Sequence, residues 1–305
     1  MANLEIWQLV LLLVVLVGFG CAIWGIFIER QLFTVHEEDQ TIAVLQKGAE
    51  PIRVLHISDF HFAPWQNRKQ KFVKKLANLD VDLVIDTGDN LGHRNAVPYT
   101  LEALQGLLKK PGAFVNGSND YFVPTPRNPF TYLIKPTDRH SAERLPTEEL
   151  LTGFENAGWL NVNNATQSLK IKNSVLRFVG VDDRHEHLAD LKSVAVNAAK
   201  AKSGEVLIGI THAPYLDVID AFLEADVPML FAGHTHGGQV CIPGFGALVT
   251  NCDLPRSAAK GLSVWPKNKK QLWLNVCAGL GHSIFAPVRF ACRPEVRVLK
   301  LVAKD

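Results

Sequence analysis

Two patterns of apolar residues divide the chain. Residues 7–28 carry no charge and one strongly polar side chain, Gln8, and the run Leu-Val-Leu-Leu-Leu-Val-Val-Leu-Val within them has no polar face. From Ile52 onward, short apolar runs alternate with amphipathic stretches. The runs predict strands at 53–58, 83–87, 112–116, 174–181, 206–211, 228–232, 271–277 and 296–302, with an edge strand near 41–45. The amphipathic stretches predict helices at 67–79, 98–109, 147–157, 189–200 and 216–224. Alternation of this kind makes an α/β domain whose sheets are covered by helices.

As a helix, residues 7–28 reach roughly 30 Å, the thickness of a hydrocarbon core. Trp7 and Trp24 suit the two interfaces. No Lys or Arg precedes the run, and neither a twin-arginine motif nor an A-x-A cleavage site follows, so an uncleaved anchor is expected rather than a signal peptide. The expected organisation is a single-pass transmembrane anchor at 1–30, a connector at 31–51 and one catalytic domain at 52–305. Arg30, on the C-terminal flank, places that domain on the cytoplasmic side by the positive-inside rule.

Composition adds exclusions. With 32 basic and 30 acidic side chains the net charge is +2, and no nucleic-acid partner is expected. The lysines at 69, 71, 74 and 75 read as a solvated helix face. Five widely spaced cysteines form no C-x-x-C pair, which excludes a structural zinc site and favours buried free thiols.

The chemistry sits where the strands stop. Val-Leu-His-Ile-Ser runs into Asp59-Phe60-His61, Leu-Val-Ile-Asp-Thr into Gly88-Asp89-Asn90, Leu-Ile-Gly-Ile-Thr into His212, and Met-Leu-Phe-Ala into Gly233-His234-Thr235-His236-Gly237-Gly238. Strand carboxyl ends form the ligand crevice of α/β sheets. Asp59 and His61, two apart in extended chain, would point to the same side. Each fragment alone is common; together, in order and at strand ends, they describe a metal site. Mixed imidazole and carboxylate ligands suit Mn, Fe, Zn or similar ions better than Ca or Mg alone.

The order Asp-x-His, Gly-Asp-Asn, Gly-Ser-Asn-Asp, His, Gly-His-Thr-His resembles the calcineurin-like metallophosphoesterases. Gly233-His234-Thr235-His236-Gly237-Gly238-Gln239 continuing to Ile242-Pro243, and the tail from Ala278-Gly279-Leu280-Gly281-His282 to Arg293-Pro294-Glu295, are similar to the bacterial membrane-anchored branch. Members of that branch act like UDP-2,3-diacylglucosamine hydrolase on a lipid-linked pyrophosphate. The resemblance implies a two-sheet β-sandwich flanked by helices and a centre of two divalent metal ions. One ion would be held by Asp59, His61 and His236, the other by His212 and His234, with Asp89 bridging. It further implies hydrolysis of phosphoester or pyrophosphate bonds by a metal-bound hydroxide, as in phosphodiesterases or pyrophosphatases.

One motif departs from the family. Where Gly-Asn-His-Asp is usual, this chain has Gly117-Ser118-Asn119-Asp120, so Asn119 stands in the place of the usual proton-donating His. Asn119 is expected as a metal ligand, and Asn119 with Asp120 as the catalytic positions. Because Asn cannot be a general acid, His93, His140, His185 or His282 would have to serve, or the substrate would need an acidic leaving group. The alternative is a membrane-bound metal-binding regulatory protein with little turnover. The anchor fits a phosphorylated, lipid-linked substrate, and so does the apolar stretch 121–134, readable either as a lid facing acyl chains or as local packing.

Overall fold

The computed structural model describes residues 5–124 and 143–305. The short apolar runs become strands because both their faces are covered: β4 (Leu83–Asp86) and β5 (Gly112–Phe114) are buried at every position, and β3 (Ile52–Ile57) at all but Arg53. With β6 (Leu160–Asn161) they form a parallel run β3-β4-β5-β6. The terminal strand β15 (Glu295–Ala303) closes that sheet by pairing antiparallel with β3. The second sheet has β13 (Gly261–Lys267) and β7 (Thr166–Ile171) at its edges and runs β13-β14-β10-β9-β8-β7. Its central strands β8 (Ser174–Gly180), β9 (Glu205–Ile210), β10 (Met229–Ala232) and β14 (Lys270–Val276) are mutually parallel.

The sheets stack through Val54, Leu83, Ile85, Phe178, Ile208, Ile210, Phe231 and Leu299. Helices α2 (Asn67–Leu76), α3 (Val97–Leu104) and α4 (Thr147–Asn156) cover the outer face of the first sheet. Helices α5 (Leu191–Ala198) and α6 (Leu216–Glu224) cover the second. The expected helix-flanked two-sheet sandwich is therefore present.

Several expectations change in detail. The stretch 31–51 is more than a connector: β1 (Thr34–Glu37) and β2 (Ile42–Leu45) both pair parallel with β15, so the sheet begins at Thr34. The outer strands β7 (Thr166–Ile171) and β13 (Gly261–Lys267) went unanticipated because edge strands are half exposed and polar. The helix expected over 98–109 breaks into α3 and a 3₁₀ turn, Leu107–Lys109; at Gly106 between them a Cβ would stand 2.5 Å from that of Ala77. Lys69 is not on the solvated face. It is buried, with Nζ donating to the Phe60 carbonyl at 2.6 Å, whereas Lys71, Lys74 and Lys75 are exposed.

Helix α1 (Ile6–Ile23) and the turns that extend it to Gln31 form one helix long and apolar enough to cross a membrane. Its apolar side chains stand exposed, but its C-terminal end is docked on the domain. The Arg289 amide donates to the Gly25 carbonyl at 3.1 Å. Glu29 is buried and accepts from the amides of Cys292 at 2.7 Å and Ala291 at 3.0 Å. From position 125 on, the apolar stretch 121–134 lies outside the described residues.

Candidate metal centre

The carboxyl ends of β3, β4, β5, β9 and β10, drawn from both sheets, converge on one point. The residues that follow them do not continue as extended chain. Asp59, His61, Asp89, His234 and His236 all have positive φ, between 44° and 69°. The expectation that Asp59 and His61 project from extended backbone is thus corrected: β3 stops at Ile57 and the left-handed turns bring the two side chains together. A non-glycine residue held there costs on the order of 1–3 kcal/mol, so the surroundings must over-determine it. They do. The Asp59 and His61 amides donate to the carbonyls of Gly88 and Asp89 at 2.8 and 2.9 Å. The fully buried Asp120 carboxylate accepts from the amides of Asp89 and Asn90 at 2.8 Å, Gly117 at 3.0 Å and Leu91 at 3.2 Å. At Gly117 a Cβ would strike Asp89 Oδ1 and lie 2.7 Å from His212 Cε1, so only glycine lets this loop close on the site.

Two sets of ligand atoms lie within 4.8 Å of one another, Asp59–His61–His236 and Asp59–Asp89–His212. His61 Nε2 is 3.4 Å from Asp89 Oδ2, and His212 Nε2 is 3.6 Å from Asp89 Oδ1, so Asp89, a member of the second set, also lies beside His61 of the first. His234 Nδ1 is 3.3 Å from His212 Nε2, and His236 Nε2 is 3.2 Å from His61 Nε2. Asn119 reaches Asp89 twice, by its backbone amide at 2.7 Å and by its side-chain amide at 2.6 Å. Every residue expected as a ligand is therefore gathered here.

The donor set fits divalent cations. Asp59 Oδ1 is buried with no hydrogen-bond partner, 3.7 Å from His236 Nε2. Ring nitrogens face each other in pairs, an arrangement a cation between them would satisfy. A cation would also relieve the charge buried there. Burial pushes the carboxyls of Asp59, Asp120 and Asp183 up to about 7 and that of Asp86 up to about 8. Burial would lower the His212 imidazole, but Asp89, Asp59 and Asp183 outweigh it and push it up to about 9. Burial, with neighbouring histidines, holds His234 and His236 well below the ordinary value, in the neutral form that binds metals.

Supporting residues went unnoticed in the sequence. His212 Nδ1 is fixed by the Thr87 carbonyl at 2.7 Å. Behind Asp59 runs a directed chain. Burial and then Arg297 lower His56 to about 3, so its ring is neutral. Arg297 donates to the Asn275 carbonyl oxygen at 3.1 Å, so the Asn275 amide nitrogen donates to His56 Nδ1 at 2.7 Å. His56 Nε2 then donates to Thr87 at 3.1 Å, Thr87 to Ser58 at 2.7 Å, and Ser58 to Asp59. Arg289, fully buried, donates to the His236 and Gly281 carbonyls at 2.8 and 2.6 Å and braces the loop carrying His236. Of the four histidines considered as proton donors, His185 packs on the site, its ring 4.9 Å from that of His234 and its Nδ1 2.8 Å from the Tyr215 hydroxyl. His93 packs on Trp65, His282 contacts Arg30, and His140 lies outside the described residues. The one sequence signal for these supports is a polar residue inside an apolar run, as at His56 and Asn275.

Residues 52–238 match the family described as calcineurin-like phosphoesterase. A metallophosphoesterase of Bacillus subtilis (strain 168), YkoQ, is 25% identical over 265 residues, covering 84% of this chain and 87% of its own. The UDP-2,3-diacylglucosamine pyrophosphatase LpxG of Chlamydia muridarum is 24% identical, covering 91% of this chain and 92% of its own. A Bos taurus transmembrane protein with a metallophosphoesterase domain is 22% identical over 236 residues, covering 75% of this chain and 50% of its own.

Proposed function

Because this chain belongs to the calcineurin-like phosphoesterase family, we propose that it is a membrane-anchored hydrolase of phosphodiester or pyrophosphate bonds with two divalent cations at its centre. The observation that carries this reading is the pair of ligand sets sharing Asp59, with Asp89 next to both. Asp59, His61 and His236 would hold one cation and His212 and His234 the other, with Asp89 next to both and Asn119 tethering Asp89. When bound, two such ions acidify a water and neutralise charge on a phosphoryl group.

This chain's own residues set the rest. Asp120, whose carboxylate is spent on four backbone amides, is a positioning residue for Asp89 rather than a group that meets substrate. Asn119 tethers Asp89 and cannot protonate a leaving group, so His185, beside His234 and held by Tyr215, takes that task. The apolar helix α1 anchors the enzyme in the membrane with the domain on the cytoplasmic face, and its substrate is a phosphorylated lipid. The likeness to LpxG supports a lipid-linked pyrophosphate in particular. The test is a substrate screen with Mn²⁺ that pairs UDP-diacylglucosamine with bis-(p-nitrophenyl) phosphate. Turnover of both is expected; turnover of the aryl ester alone rejects the lipid-linked substrate but not the hydrolase.

The second reading, a metal-binding regulatory protein with little turnover, is favoured by the single observation that Asn119 is committed to Asp89. Absence of turnover on every ester in that screen, with metals bound, would select it.

A further inference from the structure

The domain exposes an apolar surface beside the docked end of α1. The hairpin of β11 (Cys241–Ile242) and β12 (Gly246–Ala247) displays Ile242, 48% exposed, and Phe245, 58% exposed, with exposed Leu248 just after it. Phe285, on the neighbouring segment, is also exposed. These segments are tied to the helix by continuous backbone contacts. Cys241 donates to the Phe290 carbonyl at 2.8 Å, Phe290 to Gln239 at 3.1 Å, and Arg289 to Gly25 at 3.1 Å. The hairpin's base is thus two chain spacings, about 10 Å, from the end of α1.

Two cations stand with it. The Arg256 guanidinium lies over the Phe245 ring at 4.6 Å, and Lys260 is exposed. Hairpin and cations line a groove of about 690 Å³ that also includes Gly237, the residue after His236. Apolar tips flanked by Arg and Lys, next to a helix that crosses a bilayer, have the composition of an interfacial membrane contact.

We propose that this hairpin, with Arg256 and Lys260, is a second membrane contact that seats on the anionic lipid surface of the same bilayer crossed by α1; it rests on the reading of α1 as a span. Ile242, Phe245 and Leu248 enter the headgroup boundary, and the cations meet lipid phosphates. The groove, lined by Arg256, Lys260 and the hairpin, then opens at the interface, where lipid phosphates meet the two cations. Helix docking through Glu29 fixes this posture, because the domain is bolted to the span rather than hung from a loose tether.

The experiment uses the full chain in vesicles of phosphatidylethanolamine and phosphatidylglycerol, the latter carrying a photoactivatable group at the glycerol-proximal end of an acyl chain. Cross-linked peptides are mapped by mass spectrometry. Cross-links are expected on 6–28 and on 242–248, well above those on 261–267, whose exposed Val264 serves as the apolar control. In Ile242→Glu/Phe245→Glu they should vanish from the hairpin and persist on 6–28, with the melting temperature unchanged. Cross-links on 6–28 with none on 242–248 overturn the hairpin contact and leave the anchor intact. Hairpin-to-hairpin protein cross-links instead of lipid adducts overturn it in favour of a second copy. No adducts on 6–28 overturn the anchor and this proposal together, while hydrolysis of soluble esters remains a separate observation.

Discussion

Asn119 is the residue at which this site departs from its family, and the structure shows what it does instead. Its backbone and side-chain amides both hold Asp89, so the position orients that carboxylate where the family usually has a proton donor. If His185 supplies the proton, log kcat/KM should depend only weakly on leaving-group pKa in the native protein and steeply in His185→Gln. General acid help of about 10²–10⁴-fold should be lost on alkyl esters and barely felt on p-nitrophenyl esters. Native kinetics already steep and unaltered by His185→Gln would remove His185 from the mechanism; gain on poor leaving groups in Ser118→Asn/Asn119→His would then identify the missing donor. At this scale the residues of the proposed centre were legible as a group, because Asp59, His61, Asp89, His212, His234 and His236 sit in motifs at strand ends. Arg289 and Arg297 were not. Each is an arginine between apolar neighbours, Val288 and Phe290 or Val296 and Val298, where alternation would equally let it face solvent, and nothing local announces that it is buried against carbonyls or an amide from distant segments.

Among the elements, the chain's first thirty residues carry an unexpected duty. From sequence, 1–30 reads as a detachable anchor because no ligand precedes Asp59. In the structure Glu29 caps the amides of Ala291 and Cys292, on the segment whose Arg289 braces the His236 loop. Charge-assisted hydrogen bonds of this kind contribute about 1.5–3 kcal/mol each. Removing residues 1–22 should therefore leave stability and metal affinity near native, whereas removing 1–30 should lower both, as read by thermal melts and metal titration. Equal behaviour of the two truncations would show that the docking is energetically idle. The central strands were legible from their apolar runs, which parallel pairing between covered faces requires. The edge strands β1, β7 and β13 escaped because their half-exposed residues look like loop; β7 and β13 fold back on the strands that follow them, while the partner of β1 is remote in sequence.

For the whole molecule, the burial of so many carboxylates at one point makes stability depend on pH and metal together. Asp59, Asp120 and Asp183, at about 7, and Asp86, at about 8, lie above the ordinary value of 3.8, so at these carboxyls the metal-free folded state binds more protons than the unfolded chain, whereas His56, His234 and His236, held low, oppose them only below about 6.5. The carboxyls' contribution is full below about 4 and is lost as pH rises through 7 to 8. His212, raised to about 9 from 6.5, has the same sign. In EDTA, denaturant melts should therefore show a protein less stable at about pH 8 than at about pH 5, and Mn²⁺ should stabilise it far more at the higher pH. A metal-free protein equally stable at both would mean that these acids do not keep their raised pKa values in the folded state. The most direct measurement is metal stoichiometry by elemental analysis alongside bis-(p-nitrophenyl) phosphate turnover, in the native protein and in Asp89→Asn. Two metals per chain and turnover are expected for the native protein, with both lost in the variant. Full turnover by Asp89→Asn with two metals still bound would contradict the shared-carboxylate centre.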